Sequence, residues 1–157
     1  MIDDTDLRLL QHLQTRARTS NADLARHLEM APSAVHQRVR RLEERGVVRG
    51  YEARIDPQAV GCGLLAFVHL RTDERLADND VGEEVARIPG VLEVHDVAGE
   101  DCYLLKVRAA DTDDLHRLLH EGIGAVPGTL STRTTIVLKT FAERTDLPLP
   151  EQPPERN

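Results

Sequence analysis

Between Pro32 and Glu44 the chain sets out polar groups at a spacing suited to gripping a nucleic acid. On a helical projection, Ser33, Gln37, Arg40, Arg41 and Glu44 fall opposite Val35, Val39 and Leu42, with His36 and Arg38 on the flanks. A helix entering a major groove touches base edges mainly through its N-terminal residues. Ser33, His36 and Gln37 are therefore the candidate base readers, and a Gln amide can bond adenine N6 and N7 together. Arg38, Arg40 and Arg41 are the candidate phosphate contacts, because their charge displaces counterions from the DNA backbone. Taken alone, the same pattern also fits a solvated basic helix face.

The flanking sequence supplies elements that would present this helix. Pro32 suits the first helical position, where its missing N–H costs nothing, and Gly46 ends the run. Upstream, Leu7, Leu10 and Leu13, flanked by Leu9 and Ala17, keep the spacing of one apolar face and predict a helix over 4–15. Asp3, Asp4 and Asp6 crowd its start, where negative charge suits the helix dipole. Ser20 caps a second helix with Asp23 three residues on, and Ala22, Leu24, Ala25 and Leu28 form its apolar side. Glu29-Met30-Ala31 makes a short break. A packing helix followed by two short helices and a tight turn is a helix-turn-helix layout.

Charge bounds what such a layout can do. The chain has 157 residues, 40% of them hydrophobic, enough for one ordinary domain or two small ones. Net charge is −7, but residues 1–54 hold ten Arg against eight Asp and Glu, so the acidity lies downstream. A local basic patch can still engage phosphates. Tyr51, Phe67, Tyr103 and Phe141 are the four aromatics, too few and too scattered for a base-stacking platform. No apolar run reaches the length of a membrane span, and the start, Met1-Ile2-Asp3-Asp4, is acidic where a signal peptide is basic. No membrane contact and a cytoplasmic location are expected. Cys62 and Cys102 lack metal-ligand spacing and read as reduced thiols. No cofactor is expected.

Residues 47–56 are β-prone with a Gly interruption, Pro57 and the Gly61-Cys62-Gly63 stretch punctuate the chain after them, and 47–61 reads as a strand-like linker. Leu64 to Leu70 is an apolar run typical of a buried strand. A helix is expected over 79–88 with Val81, Val85 and Ile88 inward, then a strand over 91–97. Gly99-Glu100-Asp101 reads as a hairpin turn and Cys102 to Arg108 as the next strand. A second helix is expected over 112–123, with Leu115, Leu118, Leu119 and Ile123 on one face, and a last strand over 131–141. The order βαββαβ predicts a ferredoxin-like antiparallel sheet with both helices on one face. The fold class is thus α+β: helix-turn-helix domain 1–46, linker 47–61, βαββαβ domain 62–142, and a tail 143–157 whose four prolines suggest disorder. The uncovered sheet face calls for polar residues or a partner, and dimerisation through it is the expectation.

Over nearly its whole length the sequence resembles the Lrp/AsnC, or feast/famine, regulators. The resemblance is carried by Asp4-Thr5-Asp6…Leu9-Leu10, Ala22-Asp23-Leu24-Ala25, Pro32-Ser33-Ala34-Val35…Arg38-Val39-Arg40-Arg41-Leu42-Glu43 and Gly46-Val47-Val48-Arg49-Gly50-Tyr51. Ile88-Pro89-Gly90-Val91, Gly99-Glu100-Asp101-Cys102-Tyr103-Leu104-Leu105-Lys106-Val107 and Pro127-Gly128…Thr132-Arg133-Thr134 continue it in order. It implies a winged-type helix-turn-helix that binds double-stranded DNA and an effector domain that binds an amino acid or related metabolite. It further implies homodimers that build larger even-numbered oligomers, commonly octamers. The effector loop corresponds to Gly99, Glu100, Asp101, Cys102 and Tyr103, near Thr132 and Thr134. N–H groups after a Gly can hold a carboxylate there, and Asp101 or Glu100 an ammonium group. Glu29 and Ala31 stand where the family usually has Gly and Ser, Cys102 where many members have Asp, and Ala98 where Thr is frequent.

Other readings exist. His116 and His120 lie at i, i+4 beside Glu121, the start of a metal site. Certain tetrapyrrole-processing (siroheme-type) decarboxylases share the two-domain architecture and use basic and His residues in the C-terminal cleft, for which His95 is the candidate here. The downstream domain could also act as an oligomeriser with no effector.

Overall fold

The computed structural model describes residues 2–73, 80–99 and 101–151. The chain divides into two compact units, Met1–Arg54 with Ala142–Asn157, and Ile55–Phe141. Among the described residues no helix is long and apolar enough to cross a membrane.

The first unit holds α1 (Asp4–Thr15), α2 (Asn21–Leu28) and α3 (Pro32–Glu44). Their starts differ in quality. The Asp3 carboxylate accepts from the Asp6 N–H at 2.8 Å while the Asp6 carboxylate accepts from the Asp3 N–H at 3.3 Å, a reciprocal capping box. Ser20 accepts from the Asp23 N–H at 3.1 Å. Ala31 begins α3 with no side-chain cap, and Pro32 follows it. Glu29 ends α2 in the left-handed region, at φ 54°. The turn is thus built without the two residues that would relax it.

Leu9, Leu13, Leu24, Ala25, Leu28, Val35, Val39 and Leu42 close one core, with Leu10, Met30, Val47 and Val48 at its edge. Leu9 is fully buried and Leu10 only partly, so the apolar stripe of α1 runs through the residue first read as a flank. The strand-like expectation for 47–56 is not met. The Val47 and Val48 N–H groups both donate to the Leu42 carbonyl, and residues 45–56 form no strand. A strand needs a hydrogen-bonding neighbour, and the described residues of this unit contain none. The tail also departs from expectation. Although residues 142–151 form neither helix nor strand, the Gln14 amide donates to the Leu147 carbonyl at 2.9 Å and accepts from the Leu147 N–H at 3.1 Å. One side chain thereby satisfies both backbone groups of that residue.

The second unit is a four-stranded antiparallel sheet in the order β2-β3-β1-β4, from β1 (Leu64–Thr72), β2 (Val91–Asp96), β3 (Tyr103–Ala109) and β4 (Thr129–Ile136). Helices α4 (Asp80–Ala86) and α5 (Thr112–Arg117) join the strands, and α5 runs on through a π turn, Leu118–Gly122, and a 3-10 turn, Ile123–Ala125. Ala66, Val68, Leu70, Leu105 and Val107 share the core with Val81, Val85, Leu115 and Ile123, which is the βαββαβ arrangement anticipated. The last strand stops at Ile136 rather than 141. The Val137 N–H still donates to Leu65, but β1 begins at Leu64 and offers nothing beyond. Gly82 has a packing reason: a Cβ there would stand 2.8 Å from Cε1 of the buried Tyr103 ring.

Candidate nucleic-acid interface and effector loop

Helix α3 presents the polar face its sequence promised. Val35 and Leu42 are fully buried and Val39 nearly so, which turns Ser33, His36, Gln37, Arg40 and Arg41 outward. Among the described residues, the Ser33 and Gln37 side chains have no hydrogen-bonding partner and remain available to a ligand. Asn21 at the start of α2 meets His36 Nδ1 at 3.2 Å, tying the first turn of α3 to the helix before it. Arg40 is loosely held by Glu44 one turn on, at 2.8 Å in an exposed pair.

The three arginines on this helix are not alike. Arg38 reaches Asp3 at 2.6 Å and Asp6 at 2.7 Å, and Arg41 reaches both Asp6 oxygens at 3.0 and 3.1 Å. The Asp6 side chain is fully buried, and that of Arg38 is only 25% exposed. Hydrogen bonds to Asp3 and then Asp6 raise the Arg38 pKa above its ordinary value. Burial pushes the Asp3 carboxyl up, but the bond from Arg38, the Asp6 N–H and the charge of both arginines outweigh it and leave the carboxyl below the usual range. Arg38 is thus a strut between α3 and α1 more than a free phosphate contact. Arg41, with its side chain 48% exposed, can serve both. Sequence periodicity could not show this pairing, because Asp6 and Arg41 lie 35 residues apart.

In the second unit, the described residues of the expected effector loop do not all converge. Gly99 stands open, with nothing within 4 Å of a Cβ placed on it, at φ 154°. Glu100 lies outside the described residues. The Asp101 carboxylate meets Arg133 at 2.6 Å and His69 Nδ1 at 3.4 Å. The Cys102 N–H donates to the Leu70 carbonyl, which closes the loop onto β1. Tyr103 is buried beneath α4 and belongs to the core. Thr132 pairs with Leu70 and Thr134 with Val68, so both turn toward the helix-covered side, whereas Arg133 pairs with His69 on the other. The residue that reaches the loop is the one between the two threonines. His69 and Arg133, neither of them among the expected effector residues, are the partners of Asp101.

That helix-free face also carries a second cluster. Glu93 accepts from Lys106 at 3.1 Å and faces His95 Nε2 at 3.1 Å, and these two bonds, His95 first, hold its carboxyl below the usual range. His95 is therefore an exposed partner of Glu93. The His116 and His120 rings lie 4.3 Å apart, but among the described residues no group of three or more His, Cys, Asp or Glu is placed to hold a metal.

Similarity to known proteins follows the same division. Residues 2–49 match the winged helix-turn-helix DNA-binding family, and residues 65–147 match the Lrp/AsnC ligand binding domain. The chain is 39% identical over 148 residues to the HTH-type transcriptional regulator LrpA of Mycobacterium tuberculosis, covering 94% of this chain and 97% of that one. Among solved structures, the feast or famine regulatory protein Rv3291c of M. tuberculosis, complexed with L-methionine, is 39% identical at a TM-score of 0.88, covering 96% of this chain and all of that one. The regulator NMB0573 of Neisseria meningitidis, also complexed with L-methionine, is 30% identical at a TM-score of 0.86, covering 94% and 97%. The chain belongs to the Lrp/AsnC family of transcriptional regulators.

Proposed function

We propose that the protein is a cytoplasmic, sequence-specific regulator that binds double-stranded DNA through α3 and responds to an amino acid or related metabolite at its second unit. The observation that carries the DNA reading is the outward, unpartnered pair Ser33 and Gln37 at the start of a helix anchored by buried Asp6. Ser33, His36 and Gln37 read bases. Arg40 and the remaining donors of Arg41 grip phosphates, and Arg38 keeps the helix in place. Selection of bound duplexes from a random pool tests this. Gln37→Ala should flatten the preference at one or two positions, each worth about 1–3 kcal/mol of discrimination. Arg40→Ala should weaken all duplexes alike and lower the salt slope by about 0.9. An unchanged selected sequence in Gln37→Ala would remove the base-reading role.

The effector reading rests on the family and on the loop 99–103, whose open Gly99 leaves its backbone approachable. Both L-methionine complexes among the relatives direct the first screen to amino acids. Asp101, already engaged by Arg133 and His69, is positioned to order the loop, and an ammonium group would have to displace one of them. Thermal shift against the L-amino acids, on the native chain and on Arg133→Ala, discriminates this from a domain that only oligomerises: a shift with no amino acid would favour the latter. We read the chain as a regulator and not a decarboxylase because its relatives are named as regulators and His95 is engaged by Glu93. Even-numbered oligomers built on dimers, up to an octamer, fit the apolar surface offered by Leu130, Ile136, Leu138 and Phe141, the last two 98% and 88% exposed. Light scattering on the eluting protein measures that state.

A further inference from the structure

A second cationic feature of the first unit lies away from the reading face of α3. Where α1 ends and α2 passes beside it, a cavity of about 380 Å³ is lined by His12, Arg16, Arg18, Thr19, Asp23, Arg26 and His27. Three guanidiniums and two imidazoles therefore face one carboxylate. That carboxylate is already engaged: Asp23 is the ion-pair partner of Arg26 and the hydrogen-bond acceptor of Ser20 Oγ at 2.6 Å. Arg16 and Arg18 have no carboxylate partner among the described residues. The two imidazoles stand with ring centroids 4.9 Å apart. His12 Nε2 lies 3.2 Å from the Thr19 hydroxyl, which fixes its ring, while His27 Nδ1 lies 3.3 Å from the Asp23 carbonyl and leaves Nε2 free.

The negative end of α1 accounts for one or two cations at this spot. It does not account for two unpaired guanidiniums turned into one concavity with a pair of imidazoles. Like charges lining one concavity repel, and an anion bound among them reverses the sign. The donors are of the kind that suit a tetrahedral oxyanion, since guanidinium forks match phosphate oxygens two at a time.

We propose that this cavity is a phosphate-binding site, with Arg16 and Arg18 as its principal donors and His12, His27 and Arg26 completing it. The phosphate group comes either from the backbone of bound DNA beyond the segment read by α3 or from a free phosphorylated solute. The first source rests on the DNA-binding reading above; the second does not.

The test uses the full-length protein, an Arg16→Gln/Arg18→Gln variant, and an Arg8→Gln/Arg87→Gln variant of equal charge whose altered residues lie outside the cavity. Each is titrated calorimetrically with inorganic phosphate at constant ionic strength, and each is measured against one duplex over a range of salt. Saturable phosphate binding that is lost in Arg16→Gln/Arg18→Gln and kept in the control supports the site. If the slope of log affinity against log salt also falls by about 0.9, the value for one neutralised phosphate, the source is the DNA backbone. If phosphate binding is lost while the slope is unchanged, the source is a free solute. A slope change without measurable inorganic phosphate binding also supports the site, as one filled only by DNA. If neither measurement separates the cavity variant from the control, the proposal is overturned. Should no variant bind DNA at all, the phosphate isotherm alone decides.

Discussion

Asp6→Asn asks whether a buried carboxylate is the first partner of Arg38 and Arg41. Asn keeps the volume of Asp but sheds the charge and one acceptor, and its NH2 group would face guanidinium donors. Removing one side of a buried ion pair typically costs about 3–5 kcal/mol. Here Asp6 is fully buried, but the Arg38 and Arg41 side chains keep 25% and 48% of their exposure, so water recovers part of their solvation. The cost should therefore be about 2–3 kcal/mol. Asp3 is the internal comparison. It also holds Arg38, at 2.6 Å, yet its side chain is 51% exposed, and Asp3→Asn should cost less than about 1 kcal/mol. Urea unfolding of the full chain, followed by helical circular dichroism, reads the difference. With a slope of about 1–2 kcal/mol per molar for a unit of this size, Asp6→Asn should move the midpoint of the helical unit down by about 1–3 M. A midpoint no lower than that of Asp3→Asn would refute the reasoning and return both arginines to the pool of free phosphate contacts.

Three further outcomes are expected. The Asp3 carboxyl lies below its ordinary value of 3.8, so its contribution is complete above that value and is lost as pH falls through the lower one. The urea midpoint of the native chain should therefore drop more steeply than that of Asp3→Asn on acidification below about pH 4. Gly82→Ala places a methyl 2.8 Å from the buried Tyr103 ring; overpacking of about 1–3 kcal/mol exceeds the helical gain of about 1, and thermal unfolding should show net destabilisation of about 1 kcal/mol. Ala31→Ser supplies the missing cap of α3 and should stabilise the first unit by about 1 kcal/mol, as should Glu29→Gly by relieving a left-handed backbone; no gain from either in urea unfolding would show that the turn is held by other contacts.

What the sequence disclosed and what it withheld have different physical origins. Element type and order follow from local periodicity, and Val35, Val39 and Leu42 point inward as their spacing requires. So does the split of the second unit into strands and helices, since alternation and 3.6-residue repeats are short-range signals. Pairings between distant segments leave no such mark. Asp6 with Arg41, Gln14 with Leu147 and Asp101 with Arg133 each join residues more than 30 apart. Thr132 and Thr134 show a limit of another kind. A strand turns alternate side chains to opposite faces, so sequence can single out this stretch of β4 without showing that Arg133, between the two threonines, is the residue that meets Asp101. The strand expected at 47–56 failed because β propensity has no meaning without a neighbouring edge.

Six arginines between residues 32 and 54 suggest a DNA contact steep in salt, near 0.9 for each phosphate held. Arg38 is spent on Asp3 and Asp6, Arg41 is shared with Asp6, and Arg54 donates to the Glu143 carbonyl. Fewer than six are free to displace counterions, so the slope contributed by this segment should fall short of its arginine count. Meanwhile Arg16 and Arg18, outside the segment and without carboxylate partners among the described residues, are also available to a phosphate. A chain of net charge −7 can therefore hold DNA because its acidic residues in the first unit fix some arginines as scaffold and leave others exposed. Which arginines of α3 remain free for a phosphate is decided by which carboxylates are buried, and Asp6, at the start of α1, engages Arg38 and Arg41.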